Sequence, residues 1–175
     1  VNATDDVNCS LLRSMAATDI IKSWKKKSFQ PLYWLEGEED YYIDQIVDFA
    51  EHQLLPESEA SFNLTVFYGR DADWAAVVNA CRRYPMFAER QVVLLKEAQQ
   101  MKDIDKLESY FEQPLASTIF VVAYKGKNFD KRTKFYKVIS KQAEVFQSPK
   151  LREDQVPAWI RQTVTDKGYA MSDQA

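Results

Sequence analysis

The chain has 175 residues, 46% of them apolar and 13% aromatic, enough for one compact domain and the start of a second. Twenty-three Lys and Arg against 26 Asp and Glu leave a formal charge of −3, which excludes a global polycation. One histidine (His52), two distant cysteines (Cys9 and Cys81) and four scattered glycines exclude HExxH and three-histidine metal centres, zinc ribbons, disulfide scaffolds and a glycine-rich phosphate cradle.

Nothing approaches the 18 or so apolar residues of a membrane span, and residues 1–15 hold no apolar signal region. With free cysteines, this reads as a cytoplasmic chain. The triplets at Asn2, Asn8 and Asn63 are then chance matches to the glycosylation pattern. Residues 1–15 are polar and weakly patterned, and Met15 followed by Ala16-Ala17 resembles a natural start. The preceding stretch is expected to be a disordered extension.

Leu32–Leu35 is a short apolar run stopped at Gly37. Ile43, Ile46, Val47, Ala50 and Leu54 then recur along one helical face that ends before Pro56. Phe62–Val66 alternates like a half-exposed strand. Asp73 is placed to cap a helix that carries Trp74, Val77, Val78 and Cys81 on one face. Val92–Leu95 and Ile119–Ala123 are continuous apolar runs, as in strands buried on both faces. A helix with Ile104, Leu107 and Phe111 lies between them, and a basic helix over 130–141 precedes the strand Ala143–Phe146. Residues 152–168 form a further amphipathic helix with Val156, Trp159, Ile160 and Val164. The chain closes on Ser172-Asp173, a helix-start signature without its helix, so it reads as a piece of a longer protein.

Five strands alternating with helices predict an α/β fold: a three-layer, mostly parallel five-stranded sheet over residues 16–149, with a second domain beginning over 150–175. In nucleotide-binding sheets of this kind the phosphate loop follows the first strand. Here that place reads Glu36-Gly37-Glu38-Glu39-Asp40, with one glycine, no Lys-Ser/Thr pair and four carboxylates that would repel a triphosphate. Lys96 follows the Val92–Leu95 strand where a magnesium-binding acidic pair would stand. His52 falls off the apolar stripe of its helix and reads as a solvated surface residue. No GxSxG nucleophile elbow occurs and no carboxylate pair is singled out, so neither catalytic residues, metal ligands nor a cofactor are assigned.

Two features remain. Residues 36–60 hold nine acids and no Lys or Arg, whereas 125–141 hold Lys125, Lys127, Lys131, Arg132, Lys134, Lys137 and Lys141 against Asp130 alone. Interleaved with Phe129, Phe135 and Tyr136, this basic segment reads either as a solvated helix face or as a DNA or subunit contact. The second feature is the linker Arg82–Arg90. It carries Tyr84, Pro85, Met86 and Phe87 together, either as an exposed apolar anchor for a partner's pocket or folded back under the sheet edge.

Five motifs in order carry a resemblance: Glu36-Gly37-Glu38-Glu39 with Tyr41 and Ile43-Asp44; Asp73-Trp74; Tyr84 through Leu95; Phe129 through Lys137; and Leu151, Glu153 and Gln155 through Ile160. Over residues 20–175 the chain resembles the N-terminal half of the delta subunit of bacterial DNA polymerase III. The resemblance implies an AAA+/P-loop-like domain without nucleotide motifs, then the start of a helical lid domain near residue 150. It implies a non-catalytic clamp-loader subunit that holds the sliding clamp through Tyr84, Pro85, Met86 and Phe87, with Met86 where Leu is common. It also implies gamma/tau and delta-prime subunits as partners, and primed DNA within the assembled complex. The alternative is a small DNA-binding module using residues 125–141.

Overall fold

A computed structural model describes residues 17–148, 156–166 and 168. Residues 17–25 form α1. There follow β1 (Leu32–Gly37), α2 (Asp40–Gln53), α3 (Glu57–Asn63), β2 (Leu64–Tyr68), α4 (Trp74–Arg82), β3 (Gln91–Lys96), α5 (Glu108–Phe111), β4 (Thr118–Lys125), α6 (Lys134–Gln142), β5 (Glu144–Ser148) and α7 (Val156–Asp166). The strands form one sheet in the order β2-β3-β4-β1-β5, and every strand pairing in it is parallel.

The burial of each strand follows from this order. The central β1 and β4 are covered throughout except at Lys125, while the edge strand β2 is only half-buried. Alternate side chains enter two separate cores. Leu32, Trp34, Val93, Leu95, Phe120 and Val122 meet α4, α5 and α6 on one face. Tyr33, Leu35, Val92, Leu94, Val121 and Ala123 meet α1 and α2 on the other. The three layers predicted from the alternation of elements are therefore present, with the continuous apolar runs as the inner strands.

Several boundaries differ from the sequence expectation. Phe62 and Asn63 close the short helix α3 rather than opening a strand, and β2 runs on to Tyr68. Asp73 stands at the N-cap of α4, but its side chain caps nothing. The helix expected around Ile104 and Leu107 is a chain of single 3₁₀ turns leading into the four residues of α5. The basic helix begins only at Lys134, capped by Thr133 Oγ1 accepting from the Tyr136 N–H. The predicted extension 1–15 and most of 150–175 lie outside the described residues. Among the described residues no helix is long and apolar enough to cross a membrane.

Candidate functional site

The turn after β1 is where a nucleotide-binding sheet would cradle phosphate with free backbone N–H groups at a helix N-terminus. Three donors of this turn are already engaged. Ser148 O, at the end of β5, accepts from the N–H of Glu38 at 2.9 Å and of Glu39 at 3.4 Å. The Glu39 carboxylate accepts from the Tyr41 N–H at 3.1 Å, placing a negative charge on the α2 N-terminus. Gly37 holds φ at 143°, and a Cβ there would lie 1.8 Å from Ser148 O. The turn is closed over by β5.

Glu36, the first of the four carboxylates noted in the sequence of this turn, is fully buried. Its carboxylate accepts four hydrogen bonds: from Trp34 Nε1 (2.9 Å), Phe129 N (3.1 Å), Tyr136 Oη (3.1 Å) and Gln147 Nε2 (2.8 Å). It thereby ties β1 to the 126–133 loop, α6 and β5. Burial, and then the negative charge of Glu36, raise the Tyr136 phenol above its ordinary value, which keeps it a donor.

The basic segment turns inward more than its composition suggested. Phe129 and Phe135 are buried against Trp34, with ring centroids 5.4 and 5.7 Å away, and Tyr136 stacks on Phe129. None of these aromatics offers a solvent-facing platform for a base. Lys125 pairs with Asp44, Lys134 with Glu108 at 2.5 Å, and Arg132 with Asp130 at 2.9 Å. The Arg132 hydrogen bonds hold the Asp130 carboxyl down at about 2. Lys127 and Lys131 lie over the rings of Tyr124 and Tyr136. Of the seven cations of the segment, Lys137 and Lys141 have neither an ion pair nor a ring contact among the described residues. His52 is exposed on α2 beside Asp48.

The linker between α4 and β3 resolves in the other direction. Tyr84 is 77% exposed, Met86 54% and Phe87 99%. Phe87 is the most exposed large apolar side chain among the described residues, ahead of Tyr84 and Phe62, and a phenylalanine so fully solvated is the kind of side chain that marks a partner contact. The backbone beneath it is held at two points. At the crest, the 2% exposed Asn63 receives the Met86 N–H at 2.7 Å and donates to Met86 O at 2.9 Å and Glu59 O at 3.2 Å. At the base, the buried Gln91 amide reaches Ala80 O at 3.0 Å, Arg83 O at 2.5 Å and Thr118 Oγ1 at 2.8 Å. Thr118 Oγ1 in turn donates to Cys81 O at 2.8 Å.

Local sequence explains the shape of the linker. Pro85 stops α4 from continuing and biases Tyr84 toward extended backbone, and Arg83 donates to Thr65 Oγ1 at 3.1 Å on the neighbouring strand. Phe87 is left in the left-handed region at φ 53°. That conformation costs a non-glycine residue about 1–2 kcal/mol, so it persists because Asn63 and Gln91 fix the chain on both sides. Neither anchor was identified from the sequence. Asn63 appeared as a strand residue within a glycosylation triplet, and Gln91 only inside the motif Tyr84 through Leu95.

The family model described as DNA polymerase III, delta subunit, matches residues 33–148. The curated DNA polymerase III subunit delta of Bacillus subtilis (strain 168) is 27% identical over 143 residues, covering 76% of this chain and 41% of its own length. Among solved structures, the DNA clamp loader delta protein of Bacillus subtilis superposes with a TM-score of 0.72 at 23% identity, over 86% of this chain and 48% of that one. A DNA polymerase III gamma subunit-related protein of Thermotoga maritima gives 0.52 at 11% identity, over 83% and 49%. A RuvB variant of Thermotoga maritima gives 0.51 at 12%, over 93% and 52%. These likenesses place the sheet among AAA+, P-loop-like folds. The chain spans about half, or less, of the length of these relatives.

Proposed function

The chain belongs to the DNA polymerase III delta-subunit family, and we propose that it binds the ring-shaped sliding clamp through Met86 and Phe87, flanked by Tyr84 and Pro85, and favours the clamp's open form for loading onto primed DNA. The observation that carries this reading is the 99% exposure of Phe87 on a loop whose backbone is pinned at Asn63 and Gln91. Burying Met86 and Phe87 in an apolar pocket stabilises a complex by roughly 3–6 kcal/mol gross, before association costs. Because the loop is already ordered, little of that is lost to fixing it.

A partner that binds the open ring better than the closed one shifts the ring toward opening by its difference in affinity. The turn after β1 contributes no phosphate chemistry to this, because its helix N-terminus already carries Glu39 and Ser148 O. ATP then acts elsewhere, on sister subunits, by exposing or hiding this surface. The test is a titration of the protein against the sliding clamp of the same organism, with Met86→Ala/Phe87→Ala as the comparison. A loss of more than about tenfold, roughly 1.4 kcal/mol, is expected. Affinity unchanged in the double variant overturns the assignment.

A further inference from the structure

Phe87 does more than project. With Ala88, Glu89 and Arg90 it forms one side of a groove of about 920 Å³ whose apolar lining includes Phe29, Phe49, Leu54 and Leu55. Three cations border it. The Arg90 guanidinium lies 4.9 Å over the Phe29 ring and Lys25 Nζ lies 5.6 Å over Phe49, and Lys27 completes the set. None of the three forms an ion pair among the described residues. Two carboxylates, Glu59 and Glu89, also line the groove and leave it net positive, in a chain whose formal charge is −3.

The groove and the anchor share a wall. A protein surface that takes in a ring as exposed as Phe87 therefore covers the groove mouth as well. We propose that the groove is the return half of the same contact: it receives an apolar side chain flanked by a carboxylate from the sliding clamp, while Phe87 enters the clamp's own pocket. This rests on the loop reading given above. The apolar lining takes the side chain, and Lys25, Lys27 and Arg90 take the charge, strengthened by desolvation as the two surfaces close. Two interlocked insertions fix the orientation of the partners, which a single anchor free to rotate in its pocket does not.

The experiment compares clamp affinity for the wild-type protein, Phe87→Ala, Lys25→Glu/Lys27→Glu, and the control Lys22→Glu/Lys26→Glu, which reverses two exposed lysines of the same segment that do not line the groove. All four positions replaced by Glu are solvent-facing, and melting temperatures of the variants are to be compared with the wild type to check the fold. The expected result is a loss of at least fivefold for Lys25→Glu/Lys27→Glu with a flatter salt dependence, and a change within twofold for the control. If Phe87→Ala weakens binding but Lys25→Glu/Lys27→Glu stays within twofold, the groove proposal fails and the anchor stands. Equal losses in the two lysine pairs also overturn it, in favour of a general electrostatic field. If Phe87→Ala has no effect, both readings fall.

Discussion

Replacing Asn63 with alanine separates the order of the Met86-Phe87 loop from its chemistry, because no exposed atom of the loop changes. The substitution removes three hydrogen bonds, two of them to the Met86 backbone at 2.7 and 2.9 Å. At about 0.5–1.5 kcal/mol net for each bond, the upper bound on lost stability is about 4.5 kcal/mol. Met86 is half-exposed, so its freed N–H and C=O turn to water, and the expected loss in a urea titration is about 1–2 kcal/mol. The larger effect falls on binding. Without Asn63, only the Gln91 side of the linker is still held, Phe87 leaves φ 53° readily, and the clamp must select the bound loop from a broader ensemble. Fixing two or three residues again costs roughly 1 kcal/mol each, or about 30- to 150-fold in Kd. Asn63→Asp keeps an acceptor for the Met86 N–H but loses the donor to Met86 O, and is expected to fall between wild type and Asn63→Ala. Isothermal titration of the three proteins against the clamp reads the series. A loss below about threefold for Asn63→Ala, alongside the expected fall in stability, refutes the claim that preorganisation matters.

Three further outcomes follow from the closed end of the sheet and the buried titratable groups. Glu36→Gln replaces two acceptor oxygens by one acceptor and an NH₂ aimed at donors, and is expected to cost about 3 kcal/mol in chemical denaturation; a change below 1 kcal/mol would mean that the four donors have other acceptors. Gly37→Ala drives a Cβ into Ser148 O at a φ that L residues avoid, so a loss of at least about 2 kcal/mol is expected, read by the same method. Burial raises the Cys81 thiol above its ordinary 9.0 and pushes the Tyr110 phenol up to about 12. Above pH 9 the unfolded chain therefore releases protons that the folded chain keeps. The stabilisation is complete below pH 9 and declines as pH rises, by at most about 1.4 kcal/mol per pH unit for each group. Urea midpoints between pH 8 and 11 should fall, and Cys81→Ala should flatten the decline between pH 9 and 10; an unchanged slope in that variant would assign the decline to the tyrosines alone.

The parts of the fold that were legible in the sequence are those with a local signal. Val92–Leu95 and Ile119–Ala123 are unbroken apolar runs because both of their faces are covered, and α2 shows its stripe because only one face is. Phe62 and Asn63 were assigned to the wrong element because polar-apolar alternation over five residues fits the last turn of a helix and the first of a strand equally well. The Glu36 network was invisible for a different reason. Three of its four partners, Phe129, Tyr136 and Gln147, come from residues about a hundred positions later, and no periodicity in either segment predicts that they meet. Met86 and Phe87 stood between exposed and buried on sequence grounds. The side chains that settle their exposure, Asn63 and Gln91, lie outside the apolar pair itself.

The two ends of the sheet have diverged in what their backbone donors do. At the C-terminal end of β1 the donors a phosphate would need are taken by Ser148 O and Glu39, and the adjoining loop and α6 are tied down by Glu36. The Met86-Phe87 loop enters β3 from the opposite end, separated from it by a six-residue strand, about 20 Å at strand rise. Between them lie two packed cores whose central strands are almost wholly buried. A body closed at one end and solid through the middle presents its loop in one orientation. An anchor that must favour one shape of a ring over another needs that fixity, since a loop able to follow the ring through both shapes would bind each equally and shift nothing. In the proposed reading the closed turn and the exposed phenylalanine thus belong to one argument: the first makes the scaffold rigid, and that rigidity is what the second needs to favour one shape of a ring over another.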